Sequence, residues 1–551
     1  MSQDNLLLRL AHINDSHSHF ETSTVAVNTP QGAASIQCGG LGLVSSFLQA
    51  QRQQAQRDDI AHLFVDCGDA FQGSLYFSLY RGKVNACVQN HLQPDAMLLG
   101  NHEFDLGNET VYPYLQQLTC PVVVSNWDTS RVKLDKCENL TSYNPKTRCG
   151  DYLIKQFGSH QIAIMGLTLD NMNELAHPDP NTPFLHVEST LTAMIEDAHA
   201  KGIFNIILLS HLGYAKDQRL AKNIAGISVI VGGHTHTWQG DFSSLGLVND
   251  EPYGKRVGET LIFQAGCHAL CVGSADLQFN AAGYAQLMQG KSRLLVEQSQ
   301  PLSCELRHYL SSLSCVEMVS VDPEITHLLA PYRGQVEEMA SHNVASAEQM
   351  LRHIRVPAGE EFSHIAPLVC DAFVWQAEES GLPVDCAIHN AGGVRVHVDS
   401  GTLTAAEIAG RLLPFAIDLV RYRITGKVLK ETIDSAISNA VRQDGKGSGD
   451  GSFPYTSHLR YCYDRSLPSG ERLQALLLYR YSEWQPIVDD ESYWVVSSRY
   501  TAMGKGGYET LAGLGLSYEP LGYTMAEAFI HYAAACETLT PPTENLTVIL
   551  E

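Results

Sequence analysis

Five apolar segments of the sequence each end in a short run of carboxylate, imidazole or amide side chains. The runs are Asn14-Asp15-Ser16-His17, Gly68-Asp69, Gly100-Asn101-His102-Glu103-Phe104-Asp105, Ser210-His211 and Gly232-Gly233-His234-Thr235-His236. In an open α/β sheet, ligands bind in the crevice at the carboxyl ends of the strands. We therefore expect these side chains to meet at one point.

The donor types in these runs predict a metal site. Mixed nitrogen and oxygen ligands suit zinc, manganese, iron or nickel better than calcium, which prefers oxygen alone. Seven candidates exceed the four ligands of one tetrahedral ion, so they fit two divalent ions if one carboxylate bridges. The candidates are Asp15, His17, Asp69, Asn101, His211, His234 and His236.

Each of these signals is weak by itself, because a lone histidine in a protein is more often structural than a ligand. His234 and His236 would also point to opposite faces of a regular strand, so they converge only on a loop, which Gly232-Gly233 permits. All five runs together indicate a dinuclear centre. Two divalent ions and two aspartates leave net positive charge, which suits a phosphate dianion, and such a pair can activate water for in-line displacement.

Composition excludes other classes of function. The chain has 551 residues and a formal net charge of −23. This length predicts two domains, and the charge argues against binding a nucleic-acid polymer. An anionic substrate would therefore need local positive charge from bound metal ions. No apolar run is long enough to span a membrane.

The pattern of elements predicts a layered α/β catalytic domain over residues 1–318, a polar helical connector over 319–350 and a smaller α/β domain over 351–551. The chemistry-bearing runs follow the predicted strands Leu6–Ile13, Leu63–Val65, Ala96–Leu99, Phe204–Leu209 and Val229–Val231. A helix is predicted over Leu41–Arg57, and an exposed insertion over residues 127–150. In the second domain, Thr404-Ala405-Ala406-Glu407 is a capping box.

The fourteen cysteines have no metal-binding or redox spacing. The amino terminus lacks the features of a secretory signal. These observations favour reduced thiols and a cytoplasmic location, with a periplasmic location as the alternative if a leader has been removed. The triplet Asn139-Leu140-Thr141 fits a glycosylation acceptor but is interpreted as chance in such a protein.

The five runs resemble the motifs of calcineurin-like metallophosphoesterases, and with its second half the whole chain resembles the 5'-nucleotidase family. The resemblance implies a four-layer sandwich joined by a helical connector to a smaller α/β substrate-specificity domain. It implies one metal held by Asp15, His17, Asp69 and His236 and a second held by Asp69, Asn101, His211 and His234. His102 and Asp105 match the catalytic dyad, in which the aspartate orients the imidazole toward the phosphoryl group.

In the second domain the resemblance is looser. It implies that the nucleotide is contacted by Asn390, Gly393, Arg395, Phe415 and Tyr500, with the base between the two aromatic rings. One departure concerns substrate identity, because Gly506 stands where the family has an aspartate that binds ribose hydroxyls. A second departure is that Gly359 stands where some members of the family have an arginine just ahead of the helix near Ser363 to Ala372; Gly359 lies outside the residues that the structure describes.

These observations predict an enzyme that hydrolyses phosphate esters of nucleotides with two divalent metal ions, zinc, manganese or similar. The expected substrate is a nucleoside 5'-monophosphate. The alternatives are a 2',3'-cyclic nucleotide phosphodiesterase with 3'-nucleotidase activity and a UDP-sugar hydrolase. A different class is a non-catalytic nucleotide-binding or metal-storing protein, against which the complete ligand set and the His102–Asp105 pair argue.

Overall fold

The structure is a computed structural model that describes residues 5–247, 250–358, 361–415, 417–441, 449–542 and 544–550. The chain forms two compact units. The first contains residues 1–72 and 79–333, and the second contains residues 73–78 and 334–551. The sequence predicted two α/β domains, and the fold class is confirmed.

The first unit contains a mixed sheet of eleven strands. Leu6–Ile13 lies inside it, parallel to Ala61–Asp66 and antiparallel to Cys271–Phe279. The strands, in spatial order, are Ser23–Thr29, Gly32–Cys38, Ala285–Glu297, Cys271–Phe279, Leu6–Ile13, Ala61–Asp66, Ala96–Met97, Val122–Val124, Leu140–Asn144 and Cys149–Gly150, with Val316–Val319 beside Ala285–Glu297. Nearly every side chain of Leu6–Ile13 is buried, as its apolar sequence requires.

A second sheet of six strands packs on the first. Its strands are Lys255–Val257, Thr260–Phe263, Val229–Gly232, Asn205–His211, His160–Thr168 and Leu153–Phe157. The two sheets approach closely at Gly166, where a Cβ atom would lie 2.0 Å from the Val123 carbonyl oxygen. Only glycine fits at this contact.

Helices cover the outer faces of the two sheets, which gives the four predicted layers. Leu41–Arg57 packs on the larger sheet, and Val187–Ala200 and Tyr214–Asn223 pack on the smaller one. Among the described residues, the other helices of nine or more residues that begin in this unit are Gly82–Leu92, Asn108–Gln117, Cys304–Ser312 and Pro323–Ser341. The predicted helix over Leu41–Arg57 has the observed bounds.

The second unit is a smaller α/β structure with three sheets. Its five-stranded sheet has the spatial order Pro454–Ser457, Cys386–Asn390, Ser492–Ser498, Asp418–Thr425 and Glu519–Thr524. The other sheets consist of Glu483–Pro486, Leu473–Arg480, Leu459–Asp464 and Thr547–Leu550, and of Gly401–Thr404, Asn343–Ala347 and Thr538–Leu539. The main helices are Ile365–Glu379, Gly426–Ala440 and Met525–Cys536. The predicted capping box at Thr404 is present, but only a short helix and a π-helical turn follow it.

Three local predictions were wrong. The segment 127–150 is not simply an exposed insertion, because the Trp127 ring is fully buried and stacks on Phe184. The region predicted as a strand-free connector contains the strand Asn343–Ala347, which pairs with strands distant in sequence. The strand predicted over Ala96–Leu99 ends at Met97, and Leu98 and Leu99 are fully buried beyond its end.

All fourteen cysteines are free thiols. Among the helices in the described ranges, none combines the length and the apolar character needed to cross a bilayer.

Candidate metal centre

A first group of possible ligands consists of Asp15, His17 and His236, whose donor atoms lie within 4.8 Å of one another. The Nε2 atoms of His17 and His236 are 3.0 Å apart, and His236 Nε2 is 3.4 Å from Asp15 Oδ1. His17 Nδ1 donates to the Phe71 carbonyl at 3.1 Å. The proton is thereby placed on Nδ1, which leaves the Nε2 lone pair facing the group.

A second group consists of Asp69, His211 and His234, also within 4.8 Å. His211 Nε2 lies 3.0 Å from Asp69 Oδ2, and Asn101 Oδ1 lies 2.8 Å from His234 Nδ1. The two groups adjoin, since His211 Nε2 is 3.9 Å from Asp15 Oδ1. The structure therefore brings all seven predicted ligands to one place.

The backbone around these side chains is strained. Five of the seven residues have positive φ angles, namely Asp15 (51°), His17 (47°), Asp69 (55°), His234 (75°) and His236 (55°). Residues other than glycine adopt this conformation only at a cost, and such residues cluster at functional sites. The turn at His234 and His236 also removes the strand alternation that would have separated the two rings.

Glycines allow the ligand loops to approach one another. A Cβ atom on Gly100 would lie 2.2 Å from Asp69 Oδ1 and 2.7 Å from His211 Nε2. A Cβ atom on Gly233 would lie 2.9 Å from His211 Nδ1. Any side chain at either position would displace a ligand, which explains why glycine precedes both Asn101 and His234 in the sequence.

The donor set fits divalent metal ions. His211 is fully buried, its Nδ1 donates to the Cys67 carbonyl at 2.7 Å, and its Nε2 has no hydrogen-bond partner. A buried polar atom without a partner is costly unless something else satisfies it. Because Nε2 is the acceptor nitrogen of this tautomer and faces the Asp69 carboxylate, a cation between them would satisfy both atoms.

Electrostatics lead to the same conclusion. Burial alone would raise the pKa of Asp69, but the neighbouring imidazoles, His211 first, lower it well below its usual value. Burial lowers the pKa of His211, but the Asp69 carboxylate outweighs burial and the net shift is upward. The carboxylates thus require positive charge beside them, and metal binding can replace protons in that role.

Beside the second group lies the predicted dyad. His102 Nδ1 donates to Asp105 Oδ2 at 2.6 Å, and His102 Nε2 is 3.9 Å from Asp69 Oδ2. Burial raises the pKa of Asp105, against the opposing effect of His102. Gln72 also donates to Asp105 Oδ2, at 3.2 Å. The carboxylate therefore fixes the orientation of a ring whose other nitrogen faces the metal ligands.

Glu103 is a functional candidate that the sequence reasoning did not single out. It is fully buried and accepts four backbone N–H groups, those of Gly100 at 2.6 Å, Asp69 at 3.1 Å, Ala70 at 2.7 Å and Phe71 at 3.0 Å. Burial and the Asp69 charge raise its pKa. Glu103 thus joins the loops that present Asp69 and Asn101. The signal available in the sequence was the position of Glu103 between His102 and Asp105, the two residues of the predicted dyad.

Two family models match the chain. The calcineurin-like phosphoesterase model matches residues 8–238, and the model of the 5'-nucleotidase C-terminal domain matches residues 343–513. A probable 5'-nucleotidase of Treponema pallidum is 30% identical over 541 residues, with 92% of this chain and 87% of the relative covered. The chain belongs to the 5'-nucleotidase family.

Other 5'-nucleotidases agree with this assignment. The NAD 5'-nucleotidase of Haemophilus influenzae is 28% identical, with 92% of this chain and 86% of the relative covered. The crystal structure of a 5'-nucleotidase precursor from Thermus thermophilus is 27% identical and superposes with a TM-score of 0.78, covering 99% of both chains. The protein is a metal-dependent phosphoric ester hydrolase, and its catalytic domain binds divalent metal ions.

In the 5'-nucleotidase C-terminal domain, three predicted substrate residues lie at the end of one strand and just after it. Asn390 ends the strand Cys386–Asn390, and Gly393 and Arg395 follow it. Asn390 Nδ2 donates to the Gly451 carbonyl at 3.4 Å. A Cβ atom on Gly393 would lie 2.3 Å from the buried His389 ring, so glycine is required there.

The remaining predicted substrate residues are aromatic. The Arg395 guanidinium lies over the Phe415 ring, with Cζ 5.5 Å from its centroid, and Arg395 is exposed. Phe415 and Tyr500 are only half-buried, so neither is an ordinary core residue. Tyr500 packs against the backbone of Gly506 (φ +63°), where a Cβ atom would lie 2.7 Å from the tyrosine ring.

Proposed function

We propose that this 5'-nucleotidase family member removes phosphate from nucleoside 5'-monophosphates and uses two divalent ions, zinc or manganese. The observation that supports the proposal is the gathering of seven donor side chains into two adjoining groups beside the His102–Asp105 pair. Imidazole nitrogens with carboxylate oxygens suit these two metals. We assign Asp15, His17 and His236 to one ion, Asn101, His211 and His234 to the other, and Asp69 to both.

When bound, the ions supply positive charge and activate water, as in other two-metal hydrolases. The chain itself supplies an oriented donor. Asp105 holds His102 so that Nε2–H faces the phosphoryl group, where it stabilises the charge that grows on the oxygens during displacement. Because Asp105 is buried and its hydrogen bond to His102 is only 2.6 Å long, the ring needs little reorganisation at the moment of reaction.

The C-terminal domain supplies recognition of the organic group in this proposal. Arg395 presents a planar guanidinium suited to phosphate or carboxylate oxygens, and Phe415 and Tyr500 present rings on which a base can stack. Asn390 and Gly393 shape the loop that carries Arg395. The names of the relatives, a probable 5'-nucleotidase and an NAD 5'-nucleotidase, agree with a nucleotide as substrate.

A substrate comparison tests the proposal. The enzyme, loaded with manganese or zinc, is assayed with AMP, NAD, UDP-glucose, 2',3'-cyclic AMP and 4-nitrophenyl phosphate. We expect the highest kcat/KM for AMP, since aromatic stacking favours the nucleotide over the aryl ester. Preference for 2',3'-cyclic AMP or UDP-glucose would favour the corresponding alternative. Hydrolysis of the aryl phosphate without any nucleotide would contradict the proposal.

A further inference from the structure

His268 contacts the first ligand group without belonging to it. Its ring centroid is 5.6 Å from that of His17 and 5.9 Å from that of His236, edge-on in both cases. It also stacks on the His19 ring at 4.3 Å, with 27° between the planes. His19 Nδ1 in turn donates to the His17 carbonyl at 2.9 Å. His268 is therefore held in one orientation against the metal centre.

The backbone of His268 is also unusual. Its φ angle is +58°, in the left-handed region, and its N–H donates to the Asp15 carbonyl at 2.7 Å. It shares this conformation with Asp15, His17 and His236, which are candidate ligands. A strained residue that is not glycine requires surroundings that impose the strain, and such residues concentrate where a ligand is bound.

The accessibility of the ring separates His268 from a purely structural histidine. His12 of the same domain is fully buried and stacks with Tyr253, to which its Nε2 is hydrogen-bonded at 2.9 Å. His268 is only half-buried. Part of the His268 side chain therefore reaches the surface beside the candidate metal ligands, whereas no part of His12 does.

We propose that His268 is a further substrate-binding residue, whose ring N–H donates a hydrogen bond to a phosphoryl oxygen of the substrate at the first ligand group. The phosphate dianion brings up to three acceptor oxygens, and charge-assisted hydrogen bonds to it are about twice as strong as neutral ones. His102 would donate to the phosphoryl group on the side of Asp69, and His268 would donate to it on the side of His17 and His236. This inference rests on phosphate ester hydrolysis and is independent of which organic group the enzyme prefers.

His268→Phe is the sharpest test, because phenylalanine keeps the ring that stacks on His19 and removes both nitrogens. In the metal-loaded enzyme, we expect the inhibition constant of inorganic phosphate to rise about tenfold and kcat/KM to fall about tenfold, equally for AMP and 4-nitrophenyl phosphate. Bound metal, measured by elemental analysis, and the Tm should match those of the wild type. His268→Gln, which retains an N–H donor, should recover part of the phosphate affinity.

His199→Phe is the matched control, because His199 is also half-buried beside an aromatic ring, with its centroid 5.0 Å from that of Phe204. It should leave the phosphate inhibition constant and kcat/KM unchanged.

Wild-type phosphate affinity in His268→Phe would overturn the inference. Loss of bound metal in step with activity would also overturn it, since His268 would then support the ligands only. If the wild type cleaves the aryl phosphate but no nucleotide, the proposed function fails while the aryl phosphate data still decide the role of His268.

Discussion

The loops that carry the proposed metal ligands in the first unit and the loop that carries the proposed substrate residues in the second are held in very different ways. Asp15 and Asp69 are almost completely buried, and short hydrogen bonds fix the loops around them, such as that from the Gly100 N–H to Glu103 at 2.6 Å. Around Asn390, by contrast, the hydrogen bonds to Gly451 and Thr501 are both 3.4 Å long, near the upper limit for such bonds.

The side chains that would meet the substrate differ in the same way. Arg395 is exposed and rests on a half-buried Phe415, whereas His211 of the metal centre is fully buried. In the proposed assignment, the chemistry therefore lies in a buried and strained structure, while recognition falls to side chains that are exposed or half-buried. Variants at the first region should lower or abolish reaction with every substrate alike, and variants at the second should change only which substrate is preferred.

The largest effect is expected for Asp69→Ala. Asp69 faces both His211 and His102, and its removal takes away the proposed shared ligand of both ions. We expect loss of bound metal and of turnover on AMP and 4-nitrophenyl phosphate alike. Elemental analysis and both assays check this. Asp241→Ala, which removes an exposed carboxylate, is the control and should keep both its bound metal and its turnover. Two ions still bound in Asp69→Ala would refute the shared-ligand assignment.

The next largest effect is expected for His102→Asn. The variant keeps the backbone N–H that donates to Asp69 Oδ1 at 2.9 Å but removes the oriented ring. Loss of one such donor to a developing charge costs about 10²–10³ in kcat. Steady-state assays should show this fall with KM and metal content little changed. A fall in metal content would mean that His102 acts on the ligands. Asp105→Asn should have a smaller effect of the same kind.

Glu103→Gln should have an intermediate effect. The amide keeps the size of the carboxylate but places a donor where two backbone N–H groups now bond. Residues that orient metal ligands typically contribute about 10–100-fold to metal affinity or activity. Metal titration should therefore show weaker binding, with activity partly restored at high metal concentration. Wild-type metal affinity would show that the loops hold their positions without Glu103.

The smallest effect, and the most selective, is expected for Phe415→Ala. Removing one stacking ring should raise KM for AMP about tenfold. The same variant should hydrolyse 4-nitrophenyl phosphate at the wild-type rate, because the first region is untouched. Steady-state kinetics with both substrates make the comparison. Equal losses on both substrates would assign Phe415 a structural role and would remove the distinction between the two regions.

Much of the catalytic domain could be predicted from the sequence, because its parallel strands are apolar and end abruptly in polar residues. The predicted strand Leu6–Ile13 and the predicted helix Leu41–Arg57 have the observed bounds. The two glycines before His234 also allowed the prediction that His234 and His236 converge on a loop. Glu103 could not be recognised in this way, since its role consists of accepting backbone N–H groups from residues about thirty positions earlier.

Tertiary contacts explain the remaining errors. Trp127 begins a polar stretch, but its burial depends on Phe104 and Phe184, with ring centroids 5.2 Å and 6.0 Å away. Asn343–Ala347 has no marked strand pattern and is a strand because distant segments supply its hydrogen bonds. In the C-terminal domain, the positions of Arg395 and Phe415 depend on loops, whose packing no periodicity describes.

The side chain of Asn139 has a consequence for how the protein can be produced. Its amide group donates to the carbonyls of Leu115, Leu118 and Cys120, at 3.3, 3.2 and 3.2 Å, where the helix Asn108–Gln117 ends. The nitrogen to which an oligosaccharide would be linked is thus occupied in closing a helix. A secretory expression host that glycosylated Asn139-Leu140-Thr141 before folding would leave those carbonyls exposed, and replacing Thr141 would be a safeguard that spares the asparagine itself.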